Sequence, residues 1–191
     1  MRCLMCEEFS LTHICSSCQE TFLKPSLYKR KLPNNIEVLS FYKYEDIKDL
    51  LHTKHTDLGF YIYTILAKNS LAKFAEAFSF DERVISIAVD DNIRSGYSHT
   101  AILNRHLTSQ DIKPLFSKLR AKNSISYSGK NRAFRFQNPR DFQLKKFKEK
   151  NVILVDDIIT TGATLTQAIE VLQRANKEVI LCLTLCDVSR K

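Results

Sequence analysis

Apolar residues cluster along this chain in runs with two different periods. Val152, Ile153, Leu154 and Val155 form an unbroken apolar run that stops at two acids, Asp156 and Asp157. A short run of this kind predicts a strand, 152–155, buried on both faces. Downstream, Leu165, Ala168, Ile169 and Leu172 recur at helical spacing, which predicts a helix over 163–175 with Asn176 as its stop. A second buried strand follows at 179–186. Upstream, the pattern predicts a strand at 36–44 and helices at 46–55 and 57–79. The second of these helices carries Leu58, Ile62, Ile65, Leu66, Leu71 and Phe74 along one broad face. A strand at 84–89 and a helix at 93–107 complete the series. Strands alternating with helices predict an α/β fold built on a parallel sheet with flanking helices.

The polar residues that interrupt this pattern carry the chemistry. Asp156 and Asp157 stand where the strand 152–155 would emerge at its carboxyl end, and Thr160, Thr161, Gly162, Ala163 and Thr164 follow as a small, hydroxyl-rich turn into a helix. A helix N-terminus offers unpaired N–H groups and a partial positive charge, a seat for a phosphate. Gly162 lets the backbone approach closely, and the threonine hydroxyls can donate to phosphate oxygens. The acids can accept from sugar hydroxyls or share a magnesium ion with substrate phosphates. A phosphate on one side and a diol or metal on the other describe a phosphorylated sugar. No Gly-x4-Gly-Lys-Ser/Thr loop and no dinucleotide glycine pattern occurs, so strand translocation by this chain alone is not expected.

The first twenty residues follow neither period. Cys3, Cys6, Cys15 and Cys18 form two Cys-x2-Cys pairs whose four thiolates can close tetrahedrally around zinc. The surrounding segment is too poor in apolar residues to fold unaided, and a metal would supply the missing free energy. Disulfides, free thiols and replacement of one thiolate by His13 are the competing readings. Cys182 and Cys186 lie in an apolar run and read as core residues. No apolar export segment follows Met1 and no apolar run reaches membrane-spanning length, so the expected location is the cytoplasm, without membrane insertion. The expected organisation is a metal module at 1–20, a linker at 21–35 marked by Pro25, Pro33 and Lys29-Arg30-Lys31, and a main domain at 36–191.

The run 152–164 resembles the 5-phosphoribosyl-1-pyrophosphate (PRPP) loop of type I phosphoribosyltransferases. Together with the cysteine module, the chain resembles ComF-type proteins of bacterial competence for DNA uptake, over nearly its whole length. That family joins a four-cysteine zinc module to a type I phosphoribosyltransferase-like domain. Residues 42–54 look like the family's short Tyr/Lys segment, and 85–90 stand where it has a strand ending in Val-Pro-Val-Pro. Residues 94–100 stand where it usually shows Arg-Gly-Phe-Asn-Gln: Gly96 and the aromatic Tyr97 are kept, Ser95, Ser98 and His99 replace the other positions, and both prolines are gone. In related transferases the strand-end position at 88–91 forms the pyrophosphate loop. The resemblance implies PRPP with magnesium at Asp156, Asp157 and 160–164, structural zinc on the four cysteines, and DNA and other competence proteins as partners.

Charge adds one further feature. The net charge of +8 is concentrated in 113–150, where twelve Lys/Arg meet only Asp141 and Glu149, so this segment is +10 and the remainder −2. Phe116, Tyr127, Phe134, Phe136, Phe142 and Phe147 are interleaved. Basic groups track a phosphate backbone while aromatic faces stack on unpaired bases, which describes single-strand binding. The candidate contacts are Lys130, Arg132, Arg135, Arg140, Lys145 and Lys146, extended by Lys29 and Arg30. A flexible basic loop that covers PRPP, and a solvated charged face over a core, are the alternatives. Two function classes result: a PRPP-binding protein that works on single-stranded DNA, and a transferase moving ribosyl 5-phosphate to an unknown acceptor. The transferase needs no dedicated nucleophile, only charge stabilisation of the leaving pyrophosphate. His99 and His106 are candidate general bases, against the reading of solvated helix-surface histidines.

Overall fold

The structure, a computed structural model, describes residues 1–90, 96–122 and 140–189. Among these, seven strands form one sheet: β1 (Tyr28–Lys31), β2 (Glu37–Lys43), β3 (Val84–Asp90), β4 (Ile112–Ala121), β5 (Phe142–Leu144), β6 (Asn151–Ile159) and β7 (Glu178–Asp187). Their order across the sheet is β1-β2-β7-β6-β3-β4-β5. The inner five run parallel, and the edge strands β1 and β5 pair antiparallel with β2 and β4. The centre of the sheet is where the continuous apolar runs fall, because a strand covered on both faces has no polar face to show. Edge strand β1 carries an alternating, lysine-rich segment, a composition that discourages further strand pairing.

Helices cover both faces. On one lie α2 (Tyr44–His52), α3 (Asp57–Ala67), α4 (Lys73–Ala77) and α5 (His99–Arg105); on the other lies α6 (Ala163–Arg174). Ile153 and Val155 of β6 join the first layer's core, while Val152 and Leu154 join the second with Leu165, Ala168, Ile169 and Leu172 of α6. This is the period-2 alternation of a strand meeting the 3.6-residue period of a helix. A π-helical turn, Lys68–Ala72, links α3 to α4, and Ser70 Oγ there donates to the Leu66 carbonyl at 2.7 Å.

The predicted α/β architecture is present, with instructive differences in extent. The strand predicted at 152–155 continues to Ile159, since Asp156, Ile158 and Ile159 stay in register with Thr184, Cys186 and Asp187 of β7. The predicted helix 46–55 ends at His52 and tightens into a 3₁₀ turn, Thr53–His55. The helix predicted over 93–107 is seen as α5, residues 93–95 lying outside the described residues. The segment read as a linker contains β1, and its Leu23 and Leu32 are buried. Within the basic segment, β4 and β5 form an ordered antiparallel pair.

The cysteine module, which also holds α1 (Ser16–Phe22), packs directly on this frame. Cys3, Ile14, Cys18 and Leu23 share one buried apolar cluster with Tyr42, Ile62 and Leu66. The His13 ring stacks on Tyr61 with centroids 4.3 Å apart, and Asn69 Nδ2 donates to Gln19 Oε1 at 2.9 Å. No helix among the described residues is long and apolar enough to cross a membrane.

Candidate functional site

The turn between β6 and α6 is built as a backbone seat. Gly162 takes φ +82°, the left-handed region open to glycine, and caps α6 without a side-chain hydrogen bond. A Cβ at this position would also meet Leu32 Cδ2 at 2.6 Å. Thr161 is exposed, Thr160, Ala163 and Thr164 are half-buried, and Gly162 is buried. Thr161 Oγ1 accepts from the Ala163 N–H at 3.3 Å. From beneath, the Arg30 guanidinium donates to the carbonyls of Thr160 (Nη1, 2.7 Å) and Thr161 (Nη2, 3.3 Å), and Nη1 also donates to Asp187 Oδ1 at 3.2 Å.

The two acids have different surroundings. Asp157 is buried, and its Oδ2 accepts from Lys54 Nζ at 3.2 Å and Tyr63 OH at 3.3 Å, with His99 Nε2 also 3.3 Å away. Burial disfavours its ionised form, but Lys54 and His99 outweigh burial and hold the carboxyl well below the usual carboxylate range. Tyr63, in turn, has its hydroxyl pKa raised by burial and then by Asp157. Asp156 is half-buried, and its Oδ1 accepts the Asp157 N–H at 2.9 Å. Burial, then the neighbouring carboxylate, push Asp156 up to about 8, against the opposing pull of Arg140. One acid is thus held ionised inside the fold, while the carboxyl of the other is pushed up.

Lys54 is itself held in place. Tyr97 OH donates to the carbonyls of Lys54 and Thr56, both at 2.9 Å, and Gly59 leaves no room for a Cβ between Thr53 O and Tyr97 OH. Tyr97, singled out in the sequence as a kept aromatic, therefore fixes the turn that aims Lys54 at Asp157. Lys54, Tyr63 and the role of His99 were not found by sequence reasoning. Tyr63 lies in an apolar helix with no polar signal around it. His99, read as a helix-surface residue, is buried at 7% exposure because Ser98, whose Oγ accepts from Ala101 N–H, caps α5 and turns His99 inward. Replacing both acids by Ala would strip Lys54 of its partner, so such a variant tests folding together with binding.

The four thiols come together: all Sγ atoms lie within 4.8 Å of one another, with Cys6 and Cys15 at 3.7 Å. A tetrahedral ion with Zn–S bonds of ~2.3 Å requires S···S separations of about 3.8 Å, so these residues fit zinc. Cys3 Sγ accepts backbone N–H groups from Cys15 at 3.3 Å and Met5 at 3.5 Å. The Cys15 N–H in particular lowers the Cys3 thiol to about 6, poising it as a thiolate. Burial pushes the Cys18 thiol up instead, a barrier that a bound cation would reverse. Among the described residues this is the one group of three or more His, Cys, Asp or Glu placed to share an ion. His13 is stacked on Tyr61 and is not part of it. Among the described residues no comparable cluster surrounds the acidic pair.

The basic residues divide. Lys145 and Lys146 are exposed beside β5, and the Lys146 carbonyl accepts from Lys118 Nζ at 3.0 Å. Lys29 is exposed on β1, 3.9 Å from Glu37. Arg140 is half-buried, with its backbone N–H donating to Gln167 Oε1 at 3.0 Å and its charge near Asp156. Arg30 is committed to the turn carbonyls and Asp187. Arg30, expected on a nucleic-acid surface, thus contacts the candidate phosphate turn, and Arg140 lies with its charge near Asp156. Lys130, Arg132 and Arg135 lie outside the described residues.

The family model for the phosphoribosyl transferase domain matches residues 117–191, which include β6, the turn and α6. The chain thus carries a phosphoribosyltransferase-like region, within an α/β sheet flanked by helices. Among solved structures it is similar to a hypoxanthine phosphoribosyltransferase from Staphylococcus aureus (16% identity, 68% of this chain and 65% of that one, TM-score 0.42). It is also similar to a hypoxanthine-guanine phosphoribosyltransferase from Bacillus anthracis (26%, 67% and 68%, TM-score 0.40) and to orotate phosphoribosyltransferase from Aeropyrum pernix (16%, 90% and 80%, TM-score 0.41). The chain spans just under two thirds of the staphylococcal enzyme's length. No curated protein matches it.

Proposed function

We infer that this protein binds PRPP, or a closely related phosphorylated ribose, with its 5-phosphate on the turn 160–164 and its ribose hydroxyls toward the acidic pair. The observation that carries this reading is the combination of the Gly162 turn at the start of α6 with the half-buried Asp156 near the carboxyl end of β6. Backbone N–H groups and threonine hydroxyls suit a phosphate, and a carboxylate suits a diol. Asp157 acts behind Asp156, fixing the local charge. Asp156 would hold magnesium together with the ligand's phosphates, and the ion would offset their negative charge.

The working partner in this reading is single-stranded DNA handled in the cytoplasm during natural transformation, with other competence proteins. The +10 segment with its interleaved aromatics, the exposed Lys145 and Lys146, and the resemblance to the competence family support it. Zinc on Cys3, Cys6, Cys15 and Cys18 stabilises the N-terminal end. The second reading is an active phosphoribosyltransferase with an unknown acceptor, favoured by the family-model match over 117–191. Calorimetric titration with PRPP and magnesium, with and without a short single strand, tests the first reading. PRPP uptake and DNA binding on separate residues are expected, with log affinity for DNA falling by ~0.7 per phosphate contact as log salt rises. Neutralising Arg132, Arg135, Lys145 and Lys146 should abolish DNA binding and transformation while PRPP still binds. Normal transformation by that variant, or turnover of PRPP with a nucleobase, would replace this reading by the enzyme.

A further inference from the structure

We propose that Arg30 is the positioning residue of the phosphate turn, so that edge strand β1 sets the conformation in which the turn receives its ligand. The inference rests on the reading of 160–164 as a phosphate seat and adds what shapes that seat. The key is the geometry of a trans peptide, in which the carbonyl and the following N–H point in opposite directions. Arg30 holds the carbonyls of Thr160 and Thr161 from one side. The N–H groups of Thr161 and Gly162, which share those two peptide units, are thereby turned to the other side, away from the guanidinium and toward the seat. A guanidinium can do this because its fork is planar and rigid; an ammonium offers a point charge with rotating donors.

Two more contacts make the arrangement a clamp. Asp187, buried at the carboxyl end of β7, holds the guanidinium through Oδ1, and Ser189 N–H and Oγ donate to that same oxygen at 2.9 and 2.7 Å. Leu32, just after β1, packs where a Gly162 Cβ would stand, so the turn is braced at its glycine as well. Leu32 is fixed by the hairpin turn between β1 and β2, where its N–H donates to Ile36 O and its carbonyl accepts from Asn35 N–H, both at 2.9 Å. Arg30 and Leu32 thus reach one turn from a segment about 130 residues earlier in the chain.

The test uses the full zinc-loaded chain and two variants. Arg30→Lys keeps the charge and removes the fork. Arg30→Met with Asp187→Asn removes the ion pair as a unit and leaves no buried charge behind. Both should bind PRPP with magnesium at least tenfold more weakly than the parent, by calorimetry. In the absence of ligand, both should show faster hydrogen exchange at the amides of 161–164, with exchange in β3 and β6 unchanged. Full affinity in Arg30→Lys would mean that Arg30 supplies charge alone, and would overturn the proposal. So would unchanged exchange at 161–164 in either variant. If the parent chain takes up no PRPP, the phosphate reading falls by itself, and the exchange measurement alone decides whether Arg30 shapes the turn.

Discussion

Removing Lys54 should cost this protein more stability than removing any surface lysine. Its ammonium lies 3.2 Å from Asp157 Oδ2, with the two side chains 29% and 9% exposed. Surface pairs contribute ~0–1 kcal/mol, but breaking a buried pair from one side costs roughly 3–5 kcal/mol, because a charge is left in a poorly solvated place. In Lys54→Met the stranded group is the Asp157 carboxylate, which keeps Tyr63 OH and His99 within 3.3 Å. The expected loss is therefore near the lower end, about 3 kcal/mol. Asp157→Asn strands Lys54 instead, at the edge of solvent, and should cost about 2 kcal/mol. The double variant removes both charges and should lose clearly less than the sum, with a coupling of roughly 1.5–3 kcal/mol. Urea unfolding of the four proteins at neutral pH, with zinc in fixed excess, measures this. A control pair is Lys150 and Glu178, at the same 3.2 Å but 71% and 59% exposed, where coupling should stay below about 1 kcal/mol. Lys54→Met within 1 kcal/mol of the parent, or zero coupling in the cycle, would refute the buried-network account.

Two further outcomes follow from the other charged groups. Elemental analysis should find one zinc per chain, lost in Cys3→Ser with Cys6→Ser; because Cys3 and Cys18 share a core cluster with Tyr42 and Leu66, chelation should lower the melting temperature of the whole domain and not of the first twenty residues alone. Asp156→Asn should stabilise the ligand-free protein increasingly as pH rises toward about 8 and level off above it, since a folded-state pKa raised to that value makes the parent lose stability between the ordinary carboxylate range and pH 8; a difference independent of pH between 6 and 9 would refute this sign.

The sheet was legible because its central strands are buried on both faces: an unbroken Val-Ile-Leu-Val run has few places to go in a folded chain other than the middle of a parallel sheet. The four cysteines were legible for a similar reason, as their spacing leaves few chemistries to choose among. Edge strand β1 was hidden by its own exposure. A half-solvated Tyr-Lys-Arg-Lys segment between prolines has the composition of a linker, and only the pairing of Tyr28 with Ser40 and Lys31 with Glu37 makes it a strand. The continuation of β6 past its acids was hidden because Asp has low strand propensity, which the ladder with β7 overrides.

The division of labour between the two acids has the same origin as these differences. Adjacent residues in a strand face opposite sides of the sheet, so with β6 running on to Ile159 the two acids meet different neighbours. Asp157 follows Ile153 and Val155 toward the layer of α3 and α5, where it finds an ammonium, a hydroxyl and an imidazole from positions 103, 94 and 58 residues away. Nothing local marks those partners, because each is an ordinary residue in its own segment. Asp156 faces the other way, beside Arg140 and the turn that Arg30 braces. An acid held at a cost to stability, in the strand leading to a turn whose carbonyls a distant guanidinium holds, fits the proposal of a local sequence arranged for a ligand with the fold supplying the restraint. The energetic conflict and the distant clamp belong together. A β6–α6 connection selected for stability alone would carry an apolar residue at 156 and a side-chain cap at 162, and would have no use for Arg30.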